Sequence, residues 1–248
     1  MCYNPIKIYD RKTATYKSYS CRKCIECQQV RANEWGVLCH FELKEHKDNC
    51  FITLTYENSP TVLYKQDMQN FIKRLRKKIA PTKIKYFSCG EYGDQLLRPH
   101  YHIIIFGYDF KDREFIKLSK SGKAMYYSKE LEDLWTWGLC TVQDANIQTV
   151  QYSAKYATKR LGKELPEYCN TSPEFNTMSQ NLGVEAILKK MPTYLKTNEI
   201  FIDGYAYWIP DKVLRKYVNK MDITLGEKIE EYNRIRQYDK WKIVTNKE

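Results

Sequence analysis

Histidine is scarce in this chain, with four residues in 248. Nothing in the sequence approaches the roughly 18 consecutive apolar residues that suggest a membrane-spanning helix, so no membrane partner is expected. The N-terminus, Met1-Cys2-Tyr3-Asn4-Pro5, does not read as a secretory signal, which favours a reducing, intracellular setting. No Gly-rich phosphate loop follows a predicted strand, which argues against a nucleotide-hydrolysing motor. Internal repeats and low-complexity tracts are absent. Acidic residues are in the minority, 30 against 41 Lys and Arg, leaving a net charge of +11. A surplus of that sign favours a polyanionic partner, most simply nucleic acid.

Hydrophobic residues make up 43% of the chain, enough for a globular fold with a real core. Nine cysteines, an odd number, fit thiols or metal ligands better than a disulfide frame. The 21 tyrosines can stack on bases or fill half-buried surface, so their number alone decides nothing.

Residues 1–30 are polar and cysteine-rich and read as irregular, followed by a helix near 28–46. Apolar runs predict strands at 51–56, 83–89, 101–106 and 140–144. Helical spacing of Met68, Phe71, Ile72, Leu75 and Ile79 predicts a helix over 65–79, stopped by Pro81. A polar link is expected at 107–125, with helices at 126–135 and 147–161. Further helices are expected near 178–190, 211–220 and 225–241. This order favours an α+β fold, a central antiparallel sheet with packed helices, because the second and third strands are too close for a crossover. It divides the chain into a cysteine-rich segment and helix (1–48), a core (49–165) and a mostly helical extension (166–248).

Four groups of residues carry candidate chemistry. His100 and His102 open a strand, and alternation puts both imidazoles on one face with Tyr101 on the other. Such a pair can ligate one divalent cation. If the preceding strand returns as a hairpin, Glu91 becomes a third ligand, with Asp94 as a substitute. The set suits Mg²⁺ or Mn²⁺ with positions open to phosphate oxygens, and zinc is also compatible. Tyr152 and Tyr156 are four apart on one helical face, and Lys155 and Lys159 each follow a tyrosine by three residues. A lysine there can hold a phosphate and favour the phenolate. Between residues 65 and 85 there are eight Lys and Arg and one acid, Asp67. That concentration makes Lys73, Arg74, Arg76, Lys77, Lys78 and Lys83, with Arg98 beside the histidines, candidate phosphate contacts. Cys21, Cys24 and Cys27 are tightly spaced, and Cys2 can complete a four-thiolate structural Zn²⁺ site. The other five cysteines read as core or incidental.

Together these residues resemble the rolling-circle replication initiators of the histidine–hydrophobe–histidine (HUH) endonucleases, especially those of small single-stranded DNA phages of the gokushovirus type. The resemblance rests on Phe51-Ile-Thr-Leu-Thr-Tyr56, Cys89-Gly-Glu-Tyr-Gly93, Arg98-Pro-His-Tyr-His102 and Tyr152-Ser-Ala-Lys-Tyr-Ala-Thr-Lys159. Tyr101 departs mildly from a strict hydrophobe. The resemblance implies a ferredoxin-like or RNA-recognition-like core, with His100, His102 and Glu91 as metal ligands and Tyr156 and Tyr152 as nucleophiles. It also implies single-stranded or supercoiled origin DNA as substrate, a host polymerase and a host helicase as partners, and the cytoplasm of a bacterial host. A transposase or plasmid relaxase of similar chemistry, a metal-dependent hydrolase and a non-catalytic zinc-containing DNA-binding module remain as alternatives.

Overall fold

A computed structural model describes residues 2–11, 14–119, 121–146, 149–150, 166–224, 227–228 and 230–235. The chain divides into two compact units, residues 1–32 with 46–180, and residues 33–45 with 181–248.

The first unit starts with an antiparallel hairpin, β1 (Ile6–Asp10) and β2 (Thr15–Tyr19), which leads to helix α1 (Ile25–Lys44). The sequence shows no strand signal here, for a physical reason. Ile6, Ile8, Tyr9, Tyr16 and Tyr19 are all exposed, so neither face of the hairpin has the buried alternation by which strands are recognised.

Seven strands then build one sheet. They are β3 (Asn49–Thr55), β4 (Lys85–Tyr92), β5 (Pro99–Phe106), β6 (Glu114–Leu118), β7 (Ala124–Tyr127), β8 (Cys140–Asp144) and β9 (Phe175–Met178). Their spatial order is β6-β7-β8-β3-β5-β4-β9, and every neighbouring pair is antiparallel. The expected α+β fold, an antiparallel sheet with packed helices and a helical C-terminal part, is therefore present. β5 lies at the centre of the sheet because Ile103, Ile104, Ile105 and Phe106 present apolar groups to both faces, and all four are fully buried.

One face of the sheet is covered by α2 (Lys65–Lys78). Its Met68, Phe71, Ile72 and Leu75 pack in one core with Ile52, Leu54, Tyr101, Ile103 and Ile105. Tyr101 fixes which face of β5 points this way. Its hydroxyl lies 2.7 Å from that of Tyr56, and it receives the Tyr64 backbone N–H at 3.2 Å. The Tyr56 hydroxyl donates to Asp67 Oδ2 at 2.6 Å. Burial, then the Asp67 carboxylate, holds the Tyr56 phenol far above its ordinary pKa, so it remains a donor.

Two local expectations need correction. The polar link at 107–125 contains β6 and the start of β7, a surface hairpin whose β6 residues are all exposed. Tyr126 and Tyr127 belong to β7, so the helix expected at 126–135 shrinks to α3 (Lys129–Leu134), which Ser128 caps by accepting the Leu131 N–H at 3.1 Å. The helix expected at 147–161 lies almost wholly outside the described residues, and Tyr152, Lys155, Tyr156 and Lys159 lie outside them entirely. A short helix, α4 (Glu167–Thr171), precedes β9.

The second unit packs the later part of α1 with α5 (Val184–Leu188), α6 (Met191–Tyr194), the hairpin β10 (Glu199–Ile202) and β11 (Tyr205–Trp208), and α7 (Asp211–Asn219). Glu42 is buried, but its carboxylate accepts the Gly183 N–H at 2.6 Å. Gly183 has φ +66°, and a Cβ there would collide with the Leu38 carbonyl oxygen, so only glycine fits. No described helix is long and apolar enough to cross a membrane.

Candidate metal centre and cysteine site

The β4–β5 hairpin brings the first site together. Its register pairs Glu91 directly with His100 and Cys89 with His102. His100 and His102 project from the face opposite Tyr101, and Glu91 projects beside them. The three ligand atoms lie within 4.8 Å of one another. Glu91 Oε1 is 2.6 Å from His100 Nε2 and 3.4 Å from His102 Nε2. Asp94, the substitute ligand considered from sequence, is exposed in the loop and outside this cluster.

Both imidazoles are oriented through their other nitrogen. His100 Nδ1 is 3.1 Å from the Arg98 carbonyl oxygen, which only accepts, so Nδ1 carries the proton. His102 Nδ1 is 3.0 Å from Thr53 Oγ1, and its ring stacks on Phe51 at 5.4 Å and 13°. Each Nε2 is thereby turned toward Glu91. Two lone-pair acceptors at 2.6 Å repel one another, so the His100–Glu91 contact calls for a positive charge, a proton or a metal cation. Burial alone would raise the Glu91 pKa, but the two histidine hydrogen bonds outweigh it and hold the carboxyl down at about 2. A buried carboxylate that stays ionised and two imidazoles with aligned lone pairs form a donor set that fits a divalent cation. His100 is the most exposed of the three, with 17% of its side chain accessible, which gives the site an open side.

Thr53 was not singled out by sequence. It sits in a row of residues that crosses the sheet in register, Thr141–Thr53–His102–Cys89–Asn176. Thr141 Oγ1 and Asn176 Oδ1 in this row are buried and have no hydrogen-bond partner among the described residues. The only sequence signal was the parity of Thr53 in its strand, readable once the pairing register is known. Thr53→Val keeps the shape but removes the oxygen. It is expected to weaken Mn²⁺ binding about 10- to 100-fold, as loss of a ligand-orienting partner commonly does. Titration of the variant with Mn²⁺ by electron paramagnetic resonance measures this, and an unchanged affinity would remove Thr53 from the site.

The cysteines form a second cluster. Sγ atoms of Cys2, Cys21, Cys24 and Cys27 all lie within 4.8 Å of one another. Cys21–Cys27 and Cys2–Cys24 are each 3.9 Å apart. Four thiolates around zinc at about 2.3 Å stand roughly 3.8 Å apart, so this spacing fits a tetrahedral ion. Backbone N–H groups of Cys24 and Lys23 point at Cys21 Sγ, at 3.3 and 3.4 Å, and lower its thiol pKa to about 6. The remaining five cysteines are buried thiols, as expected.

The basic residues are not gathered around the histidines. Lys73, Arg76, Lys77 and Lys78 are exposed on α2, and Lys83 follows it, on the far side of the sheet. Arg74 is committed to packing: its Nε donates to the Leu134 carbonyl at 2.9 Å, and its guanidinium lies 5.2 Å over the Trp137 ring. Arg98 ties the hairpin loop to β3 by donating to the Tyr56 carbonyl at 2.5 Å.

A family model described as a replication-associated protein of the ORF2 type matches residues 49–161, from β3 through the segment that holds the tyrosines. The chain is 33% identical over 216 residues to replication-associated protein ORF4 of Chlamydia phage 1, covering 81% of this chain and 54% of that one. It is 32% identical over 197 residues to replication-associated protein ORF2 of Spiroplasma virus 4, covering 75% and 62%. The chain belongs to this replication-associated protein family. A third member, VP4 of Bdellovibrio phage phiMH2K, is 30% identical over 203 residues and is covered over 64% of its length. The chain thus spans between half and two thirds of the length of these phage replication-associated proteins. No solved structure matches it.

Proposed function

We propose that this replication-associated protein is a nicking and joining endonuclease that starts rolling-circle replication at a viral origin. The observation that carries the reading is the geometry of His100, His102 and Glu91, three buried or half-buried donors oriented on adjacent central strands. Mg²⁺ or Mn²⁺ held there would act as a Lewis acid on a phosphate oxygen and raise the electrophilicity of phosphorus. Tyr156 or Tyr152 supplies the nucleophile. Its phenolic oxygen bonds to phosphorus, the bond to the 3′ oxygen breaks, and the released strand end takes up the proton as a 3′ hydroxyl. Lys155 and Lys159 hold the phosphate and favour the phenolate. The product is a 5′-phosphotyrosine adduct.

Joining runs the same chemistry backwards. A 3′ hydroxyl attacks the adduct, a DNA phosphodiester forms, and the phenol leaves with a proton. The bond energy is stored in the adduct, so no nucleotide is consumed. Two tyrosines allow one to hold an end while the other cuts the regenerated origin. The 3′ hydroxyl left by the first cut is a primer for a host polymerase, and unwinding would be supplied by supercoiling or a host helicase, in the cytoplasm of the bacterial host. Zinc in the four-cysteine site completes the reading as a structural ion.

The test uses a labelled single-stranded origin oligonucleotide with Mn²⁺. Wild type should give a protein–DNA band that survives denaturation, and a variant with both Tyr152→Phe and Tyr156→Phe should give none. Cleavage at the wild-type rate by that variant would refute the tyrosine step and favour an activated water.

A further inference from the structure

The central sheet separates two features that sequence reading treated as one DNA-binding surface. Side chains of β5 alternate, so the histidine face and the Tyr101 face are opposite sides of the sheet. α2 packs on the Tyr101 face through Met68, Phe71, Ile72 and Leu75. Its outer surface therefore points away from the histidines.

That outer surface is positively charged and uncompensated. Lys73, Arg76, Lys77, Lys78 and Lys83 are exposed, and none of them forms an ion pair among the described residues. The nearest acid in sequence, Asp67, is turned inward to the Tyr56 hydroxyl. Elsewhere on the unit, exposed cations are paired: Lys111 with Asp48, and Lys129 with Glu132 and Asp133. Like charges packed on a single helix repel, so the cluster costs stability unless a polyanion neutralises it.

The stretch from Lys73 to Lys83 also offers no exposed aromatic ring. Tyr86, the nearest ring, is half-buried with the Arg76 guanidinium over it at 5.6 Å. A surface that grips single strands combines cations with open rings on which bases stack. Cations without rings, carried on a rigid helix, suit the regularly spaced phosphates of a double helix.

We propose that the cationic side of α2, with Lys83, is a second DNA surface that binds duplex DNA by its backbone, apart from the face that carries the histidines. This rests on the DNA-processing reading but not on the tyrosine chemistry. The surface would hold the duplex beside the nick without regard to sequence, while the histidine face engages the single strand.

The test compares wild type with a full-chain variant carrying Lys73→Gln, Arg76→Gln, Lys77→Gln and Lys78→Gln. Binding to a duplex of about 20 base pairs and arbitrary sequence, long enough to span the phosphates of one helix face, is measured at several salt concentrations. Initial cleavage rates are measured on a short single-stranded oligonucleotide with Mn²⁺. Four lost phosphate contacts should lower duplex affinity about 100-fold or more near 0.1 M salt and reduce the slope of log affinity against log salt by about 3 to 4. Single-strand cleavage should stay within about twofold of wild type. A charge-conserving variant, Lys73→Arg, Lys77→Arg and Lys78→Arg, should bind duplex as wild type does, which separates charge from folding. Unchanged duplex affinity and slope in the glutamine variant would overturn the proposal, and so would an equal loss of single-strand cleavage. If wild type never cleaves but its duplex binding depends on these four side chains, the proposed function fails and the second surface stands.

Discussion

His100→Ala should lower the initial rate of single-strand cleavage about 100- to 1,000-fold at saturating Mn²⁺ and abolish the covalent adduct on the same timescale. Each tenfold corresponds to about 1.4 kcal/mol of barrier, and charge stabilisation by a catalytic metal is worth several kcal/mol. His100 gives the cleaner variant of the two histidines. It keeps an open side, and its other nitrogen holds only the Arg98 carbonyl. His102 is more buried, stacks on Phe51 and bonds Thr53, so His102→Ala removes packing as well as a ligand. The expected result is that His100→Ala unfolds near the wild-type midpoint while losing cleavage and Mn²⁺ affinity together. Undiminished cleavage would show that the histidine–glutamate cluster is a structural ion pair.

The second large effect concerns the cysteines. Native mass spectrometry should find one zinc per chain, and Cys24→Ser or a strong chelator should remove it. The β1–β2 hairpin has little else to hold it, since nearly all its apolar side chains are exposed. A two-stranded hairpin alone is marginally stable at best in water. Zinc binding to small thiolate sites is worth about 10–16 kcal/mol at neutral pH, far more than such a hairpin can supply. Amide hydrogens of residues 6–19 should therefore lose their protection when zinc leaves, while those of β3 and β5 keep theirs. Equal protection with and without metal would mean that the four thiols serve no structural ion.

The parts of the fold legible in sequence were those with a strong burial pattern. β3, β5 and α2 follow their apolar periodicity closely because one or both faces are fully buried. The hairpins β1–β2 and β6–β7 were hidden because their side chains stay exposed and carry no alternation. The same logic applies to the site. His100, His102 and Glu91 were found because rare, chemically distinctive residues cluster in a short stretch. Thr53 and Asn176 were missed because threonine and asparagine are common, and only cross-strand register brings them beside the histidines. The basic cluster was visible as composition, but its placement on the reverse of the sheet depends on which face α2 covers, and charge counting carries no such information.

The pairing of Glu91 with His100 across a short loop also determines which length changes the chain tolerates. A residue inserted between Gly93 and Arg98 lengthens the turn and leaves both strands in phase. A residue inserted between Pro99 and His102 inverts the strand beyond it, carrying an imidazole toward the aliphatic core and an aliphatic group toward the ligands. Sequence drift in length should therefore be confined to the loop, and a single-residue deletion scan across 93–106 should give an abrupt boundary at Pro99, not a gradual decline.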